Sequence, residues 1–171
     1  MLVRYLYGGC PVDIRIEIDD LTRPEVRALL DEHLANMHAL SPPESVHALP
    51  VEELRQPDVT FWTIWAGTEL LGCGALKELE PRHGEVKSMR TALAYRRRGV
   101  GRKVVEHVLG EARRRGYERL SLETGSASAF EPARRLYERF GFTCCAPFGD
   151  YVEDPNSVFM TLELGGDSES A

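Results

Sequence analysis

No stretch of this chain is long and apolar enough to cross a bilayer, and the N-terminus has no extended hydrophobic region of the kind that directs secretion. Both absences predict a cytoplasmic protein. Cysteine is scarce: Cys10, Cys73, Cys144 and Cys145 show no CxxC spacing, and an adjacent pair bridges only with difficulty. A disulfide framework is therefore not expected, and free thiols in a reducing compartment are. The five histidines show no ligand spacing with those cysteines or with one another, so no metal is expected. The GxxxxGK[ST] and GxGxxG phosphate loops are both missing. Aromatic residues do not interleave with basic ones, which argues against a nucleic-acid surface.

What is present suits one folded domain. At 171 residues the chain can bury a core of its own. Its net charge of −6 hides an asymmetry: between Val86 and Arg119 eleven Lys or Arg stand against only Glu106, Glu111 and Glu118. One basic segment on an acidic body fits a compact anionic ligand.

Residues 1–11 read as an extension and 165–171 as a polar tail, leaving a domain over 12–164. Val12 to Ile18 alternates as a half-buried strand, and Thr22 with Pro24 opens a helix through about Leu40. Ser41 to Pro50 holds three prolines and reads as a loop, with a short helix near Val51 to Gln56. Val59 to Ala66 and Glu69 to Lys77 form a hairpin about Gly67-Thr68. A strand over Glu85 to Leu93, a helix from Val100, a strand over Arg119 to Glu123, a helix carrying Phe130 to Phe140 and a closing strand over Val158 to Leu164 complete the order. The expected class is α/β with a mixed sheet.

Between the fourth strand and the third helix stands Tyr95-Arg96-Arg97-Arg98-Gly99-Val100-Gly101-Arg102-Lys103. The first turn of a helix has backbone N–H groups without intrahelical partners, and the aligned peptide dipoles make that end positive. Gly99 and Gly101 let an anion approach closely, and Arg96, Arg98, Arg102 and Lys103 add cations around the same spot. Arg113, Arg114 and Arg115, at the other end of that helix, read as a solvated face that complements the dipole.

The run Arg96-x-x-Gly99-x-Gly101 resembles the pyrophosphate-arm signature of the GNAT superfamily of acyl-CoA-dependent N-acyltransferases. Leu136-Tyr137-Glu138-Arg139-Phe140-Gly141-Phe142 is similar to the family's terminal helix, and the order of elements over roughly 12–164 is similar to its fold. The likeness extends to small bacterial members. It implies a mostly antiparallel mixed sheet flanked by helices and splayed between its fourth and fifth strands. It implies acetyl-CoA as acyl donor, with Met89 and Thr91 pairing the pantetheine amides and Arg96, Arg98, Gly99, Val100, Gly101, Arg102 and Lys103 around the pyrophosphate. Two departures stand out: many relatives have glycine where this chain has Arg97, and Leu93-Ala94 replaces a common proline.

The implied reaction is direct attack of an amine, of a small molecule or a peptide, on the thioester. Tyr137 is the candidate acid for the leaving thiolate, or else a core tyrosine. Glu85 is the first candidate base, standing four residues before Met89 as in some relatives, with Glu123 its rival. His47 and Tyr151 lie in segments expected to wall the acceptor, and His47 could equally be a surface residue. A non-catalytic acyl-CoA sensor of the same fold is the competing reading, and the resemblance leaves room for a homodimer.

Overall fold

In this computed structural model the protein is described from residue 13 to 165. The expected extension, Val12, Cys10 and the tail beyond Gly165 lie outside the described residues. Strands β1 (Ile14–Ile18), β2 (Val59–Ala66), β3 (Glu69–Glu80), β4 (His83–Thr91), β5 (Arg119–Gly125), β6 (Thr143–Cys144) and β7 (Ser157–Glu163) form one sheet in the order β1-β2-β3-β4-β5-β7-β6. Neighbours are antiparallel except β4 and β5, which run parallel. Among the described residues no helix is long and apolar enough to cross a membrane.

Side-chain alternation sorts the sheet into two faces. Trp62 and Ile64 of β2 join the larger core with helix α3 (Val100–Arg114) and Tyr137 of helix α4 (Glu131–Arg139). Phe61 and Trp65 point the other way and meet helix α1 (Pro24–Leu40) and Leu54 of helix α2 (Val51–Leu54). In α3 the apolar positions at helical spacing, Val100, Val104, Val105, Val108, Leu109 and Ala112, are all buried. Burying six such side chains, each worth about 1–3 kcal/mol, makes α3 the helix that fixes this face of the sheet. Pro24 starts α1 where its ring costs no hydrogen bond, and Gly67, at φ 58°, turns β2 into β3 through a two-residue loop.

Several elements differ from the sequence expectation. β3 continues to Glu80 and β4 starts at His83, because Glu78 and Glu80 pair with Gly84 and His83 although their side chains show no apolar alternation. α2 stops at Leu54 rather than near Gln56. β7 does not end the sheet: it lies inside, with the two-residue β6 paired along its outer edge.

The strand order brings β4 beside β5, yet the two pair at only His83↔Arg119, Gly84↔Leu120 and Glu85↔Ser121. Beyond that point β4 runs on to Thr91 and β5 to Gly125 without pairing, so the sheet opens into a cleft. A bulge shapes the open part of β4. Val86 and Met89, three apart, both face α3, and the intervening Ser88 takes a left-handed φ of 52°.

Candidate active site

A cavity of about 1390 Å³ occupies the cleft. The last two turns of α1 and the loop from Ser45 to Ala48 line one side of it. The turn before α3, together with Phe130, Ala133, Leu136, Tyr137 and Phe140 around α4, lines the other. The open stretch of β4 from Lys87 to Thr91 and the end of β5 at Glu123 lie between them.

The turn into α3 has the form that an anion site needs. Gly99 precedes the helix at φ 79°, Lys103 N–H donates to Gly99 O at 3.1 Å, and no side chain caps the helix. The N–H groups of Val100, Gly101 and Arg102 therefore face outward at the positive end of a 15-residue dipole. Gly101 packs where three elements converge: a Cβ there would lie 3.2 Å from Leu136 Cδ2 and 3.7 Å from Thr91 Oγ1. Arg96, Arg97 and Arg102 line the cavity beside it, while Arg98 stacks 5.9 Å from the Tyr95 ring and Lys103 flanks the turn. Arg97, which stands where the resemblance implied a glycine, adopts φ 60°, a left-handed backbone that glycine takes without strain. Arg135 and Arg139 of α4 also line the cavity, cations that the sequence reading did not single out.

The open edge of β4 carries Met89 and Thr91. Met89 packs toward α3 over Gly74, where a Cβ would come within 2.7 Å of its sulfur. Past Glu85 the side of β4 that faces β5 has backbone groups with no strand partner, as a strand-like ligand needs.

Tyr137 is 7% exposed, lines the cavity and packs its ring 5.7 Å from Phe142. Its core position and its place on the cavity wall are thus one position. Burial pushes the phenol pKa up, so the hydroxyl keeps its proton at neutral pH.

The two carboxylates expected near the chemistry occupy different places. Glu123 lines the cavity and accepts a 2.7 Å hydrogen bond from Ser157 Oγ. Burial raises its pKa above the usual carboxylate range, against opposition from Ser157, His47 and Lys87. Glu85 is 3% exposed and stands one layer behind the wall. Its Oε1 accepts the Tyr151 hydroxyl at 2.5 Å and pairs with Lys87 Nζ at 3.2 Å.

Lys87 lines the cavity and knots these groups together, donating to Tyr151 Oη at 2.7 Å and to His47 O at 3.1 Å. His47 does line the cavity, its ring edge-on to Tyr151 at 5.0 Å, whereas Tyr151 itself lies behind. Burial and the Glu85 charge drive the Tyr151 pKa upward, so it remains a donor to Glu85. Strand period explains the grouping: His83, Glu85 and Lys87 share one face of β4, and Arg119, Ser121 and Glu123 share the same face of β5. Lys87, Ser157 and the His83 Nε2···Ser121 Oγ contact at 2.8 Å went unnoticed in the sequence. Alternation along His83-Glu85-Lys87 was the one signal available.

A model of the acetyltransferase (GNAT) family matches residues 26–142. The chain is 62% identical over 151 residues to YsnE of Bacillus subtilis (strain 168), named as an uncharacterized N-acetyltransferase, covering 88% of this chain and 100% of that one. It is 51% identical over 154 residues to YedL of Escherichia coli (strain K12), named in the same way, covering 90% and 97%. A solved Bacillus subtilis acetyltransferase in complex with CoA superposes with a TM-score of 0.62 at 21% identity, over 88% of this chain and 99% of that one.

Proposed function

The chain belongs to the acetyltransferase (GNAT) family of N-acetyltransferases, and on that premise we propose that it moves an acetyl group from acetyl-CoA directly to an amine of a small molecule or peptide. One observation carries the reading: the uncapped N-terminus of α3, the unpaired edge of β4, Tyr137 and Glu123 all face a single cavity. The features present fit the donor. A pyrophosphate suits the outward N–H groups of Val100, Gly101 and Arg102 with Arg96, Arg97 and Arg102 around them, Arg98 and Lys103 adding charge. A pantetheine arm suits the β4 edge at Met89 and Thr91. A CoA-bound structure of the same fold supports the same donor.

Bound acetyl-CoA supplies an activated thioester, and the residues of the chain then divide the proton traffic. Glu123, on the wall and with a raised pKa, takes the proton from the incoming ammonium. A backbone N–H of β4 near Met89 or Thr91 donates to the developing oxyanion. Tyr137, which holds its proton, delivers it to the departing sulfur. Glu85 acts from behind: through Tyr151 and Lys87 it fixes His47 and the wall of the acceptor site, and so serves as a positioning residue.

Thermal unfolding with ligands, followed by thiol release with a panel of amines, tests the reading. Acetyl-CoA is expected to raise the melting temperature well above what equal concentrations of ATP or NADH achieve. No shift at saturating acetyl-CoA would remove the donor assignment.

A further inference from the structure

Two polar atoms in the cavity wall on the α1 side are buried and have no hydrogen-bond partner: Arg90 Nε of β4 and His33 Nδ1 of α1. The Arg90 side chain is 9% exposed and spends one terminal nitrogen on Glu32 Oε1 at 2.6 Å, leaving Nε unmatched. Polar groups held out of water are normally paired, so an unmatched donor and an unmatched ring nitrogen in one wall mark a place where a ligand group completes the bonding.

The neighbouring charges narrow the ligand. Lys87 is the other buried cation of this wall, but it donates to Tyr151 Oη and His47 O and its charge is paired with Glu85. Burial, then the Arg90 charge, holds the His33 pKa down to about 4, so His33 is neutral at pH 7 and offers a hydrogen bond without charge. Among the described residues on this side Arg90, partly offset by Glu32, is therefore the cation with an unmatched donor. Among the described residues Glu123 is the carboxylate that lines this side without a cationic partner; Glu131, which also lines the cavity, starts α4 and pairs with Arg135, and Glu32 pairs with Arg90. A polyamine would need several acidic groups and finds one. A phosphate dianion would need more than one cation. A carboxylate matches in charge and in planar geometry.

Resting on the reading of this cavity as an N-acetyltransferase site, we propose that the acceptor is an amino carboxylate, its carboxylate seated on Arg90 Nε and His33 Nδ1 and its amine directed to Glu123. Arg90 stands on β4 and Glu123 on β5, both past the last β4–β5 pair at Glu85↔Ser121, so the carboxylate seat and the amine seat lie on the two strands that flank the cleft. Arg90 thus determines which amines are accepted and takes no part in proton transfer.

The test uses the full chain loaded with CoA or acetyl-CoA, and a panel of amino acids each paired with its carboxamide, plus spermidine and phosphoethanolamine. Binding to the CoA-loaded protein is read by calorimetry and turnover by thiol release. The expected result is an amino acid preferred over its carboxamide by about tenfold or more in kcat/KM. Arg90→Gln erases that preference by raising KM for the amino acid, with kcat and acetyl-CoA affinity little changed. Glu32→Gln, which lifts a competing charge from Arg90, moves amino-acid binding the opposite way, tightening it about two- to fivefold. Preference for the carboxamide, spermidine or phosphoethanolamine overturns the proposal, as does a preference that survives Arg90→Gln or the absence of any amino-acid binding. Arg90-dependent binding without thiol release would defeat acetyl transfer and leave the carboxylate seat standing; release from other amines alone would do the reverse.

Discussion

The Tyr151 hydroxyl donates to Glu85 Oε1 at 2.5 Å across 66 residues of sequence, and the same oxygen of Tyr151 accepts from Lys87 Nζ at 2.7 Å. A carboxyl group only 3% exposed needs polar partners, and here a phenol and an ammonium both contact its Oε1. The pair ties the segment after β6 to the middle of β4, just where β4 and β5 part.

Tyr151→Phe keeps the ring contacts with Phe148 and Phe159 and deletes only the hydroxyl. Glu85 then loses its shortest bond and Lys87 loses one acceptor. Urea unfolding should show a loss of about 1–3 kcal/mol, and KM for the amine should rise more than kcat falls because His47 leans on the Tyr151 ring. Unchanged stability would mean that Glu85 is satisfied without Tyr151.

Glu123→Gln removes the carboxylate that lines the cavity and keeps its shape. A general base contributes about 10²- to 10⁴-fold, so kcat should fall within that range, and the acidic limb of the wild-type pH–rate profile, lying above the usual carboxylate range, should vanish with it. The stability effect has the opposite sense. A raised carboxyl pKa favours folding below the ordinary glutamate pKa and loses that contribution as pH rises through the folded value. Glu123→Gln should therefore melt higher than wild type at pH 8, with less difference at pH 4. A variant of near-parental rate would pass the role of base to another group.

Tyr137→Phe separates acid from core. The aromatic body stays against Phe142, so CoA affinity and melting temperature should change little. The rate with the best amine should drop by about 10²-fold or more if the phenol protonates the sulfur. A rate within about threefold of the parent, with protonation limiting, would place the acid elsewhere.

Arg97→Gly tests a backbone reading. A left-handed φ costs an L-residue about 1–2 kcal/mol, and the extra chain entropy of glycine takes back about 0.5–1 of it. Arg97→Gly should thus be more stable than Arg97→Ala, which keeps the Cβ at φ 60° and gains nothing. Arg97→Gly less stable than Arg97→Ala by about 0.5–1 kcal/mol, the entropy cost of glycine alone, would show that the turn carries no strain.

Elements held by their own apolar period were legible before any coordinates. The apolar residues of α3 at helical spacing, Val100 to Ala112, are buried at all six positions, and α1 runs from Pro24 to Leu40 as the sequence indicates. Elements held by a neighbour were not. β6 is two exposed residues, Thr143 and Cys144, that exist as a strand only because Thr161 and Met160 pair with them. The charged end of β3 is a strand only because β4 folds back on it. The site divides in the same way. The turn at Gly99 and Gly101 is a local device with a local signature, whereas Glu85–Tyr151, Glu123–Ser157 and Arg90–Glu32 each join residues more than thirty apart in sequence. Local spacing says nothing of such partners, and so the reading ranked Glu85 and Glu123 without knowing that only Glu123 faces the cavity.

The central claim is transfer, and the measurement closest to it is the yield of acetylated amine set against thiol released, from acetyl-CoA and each amine of the panel. Release that requires the amine, saturates with it and matches the acetylated product in amount is the predicted result. Tight binding of acetyl-CoA with no amine-dependent release and no acetylated product from any amine would contradict the account and leave a sensor of acyl-CoA in its place.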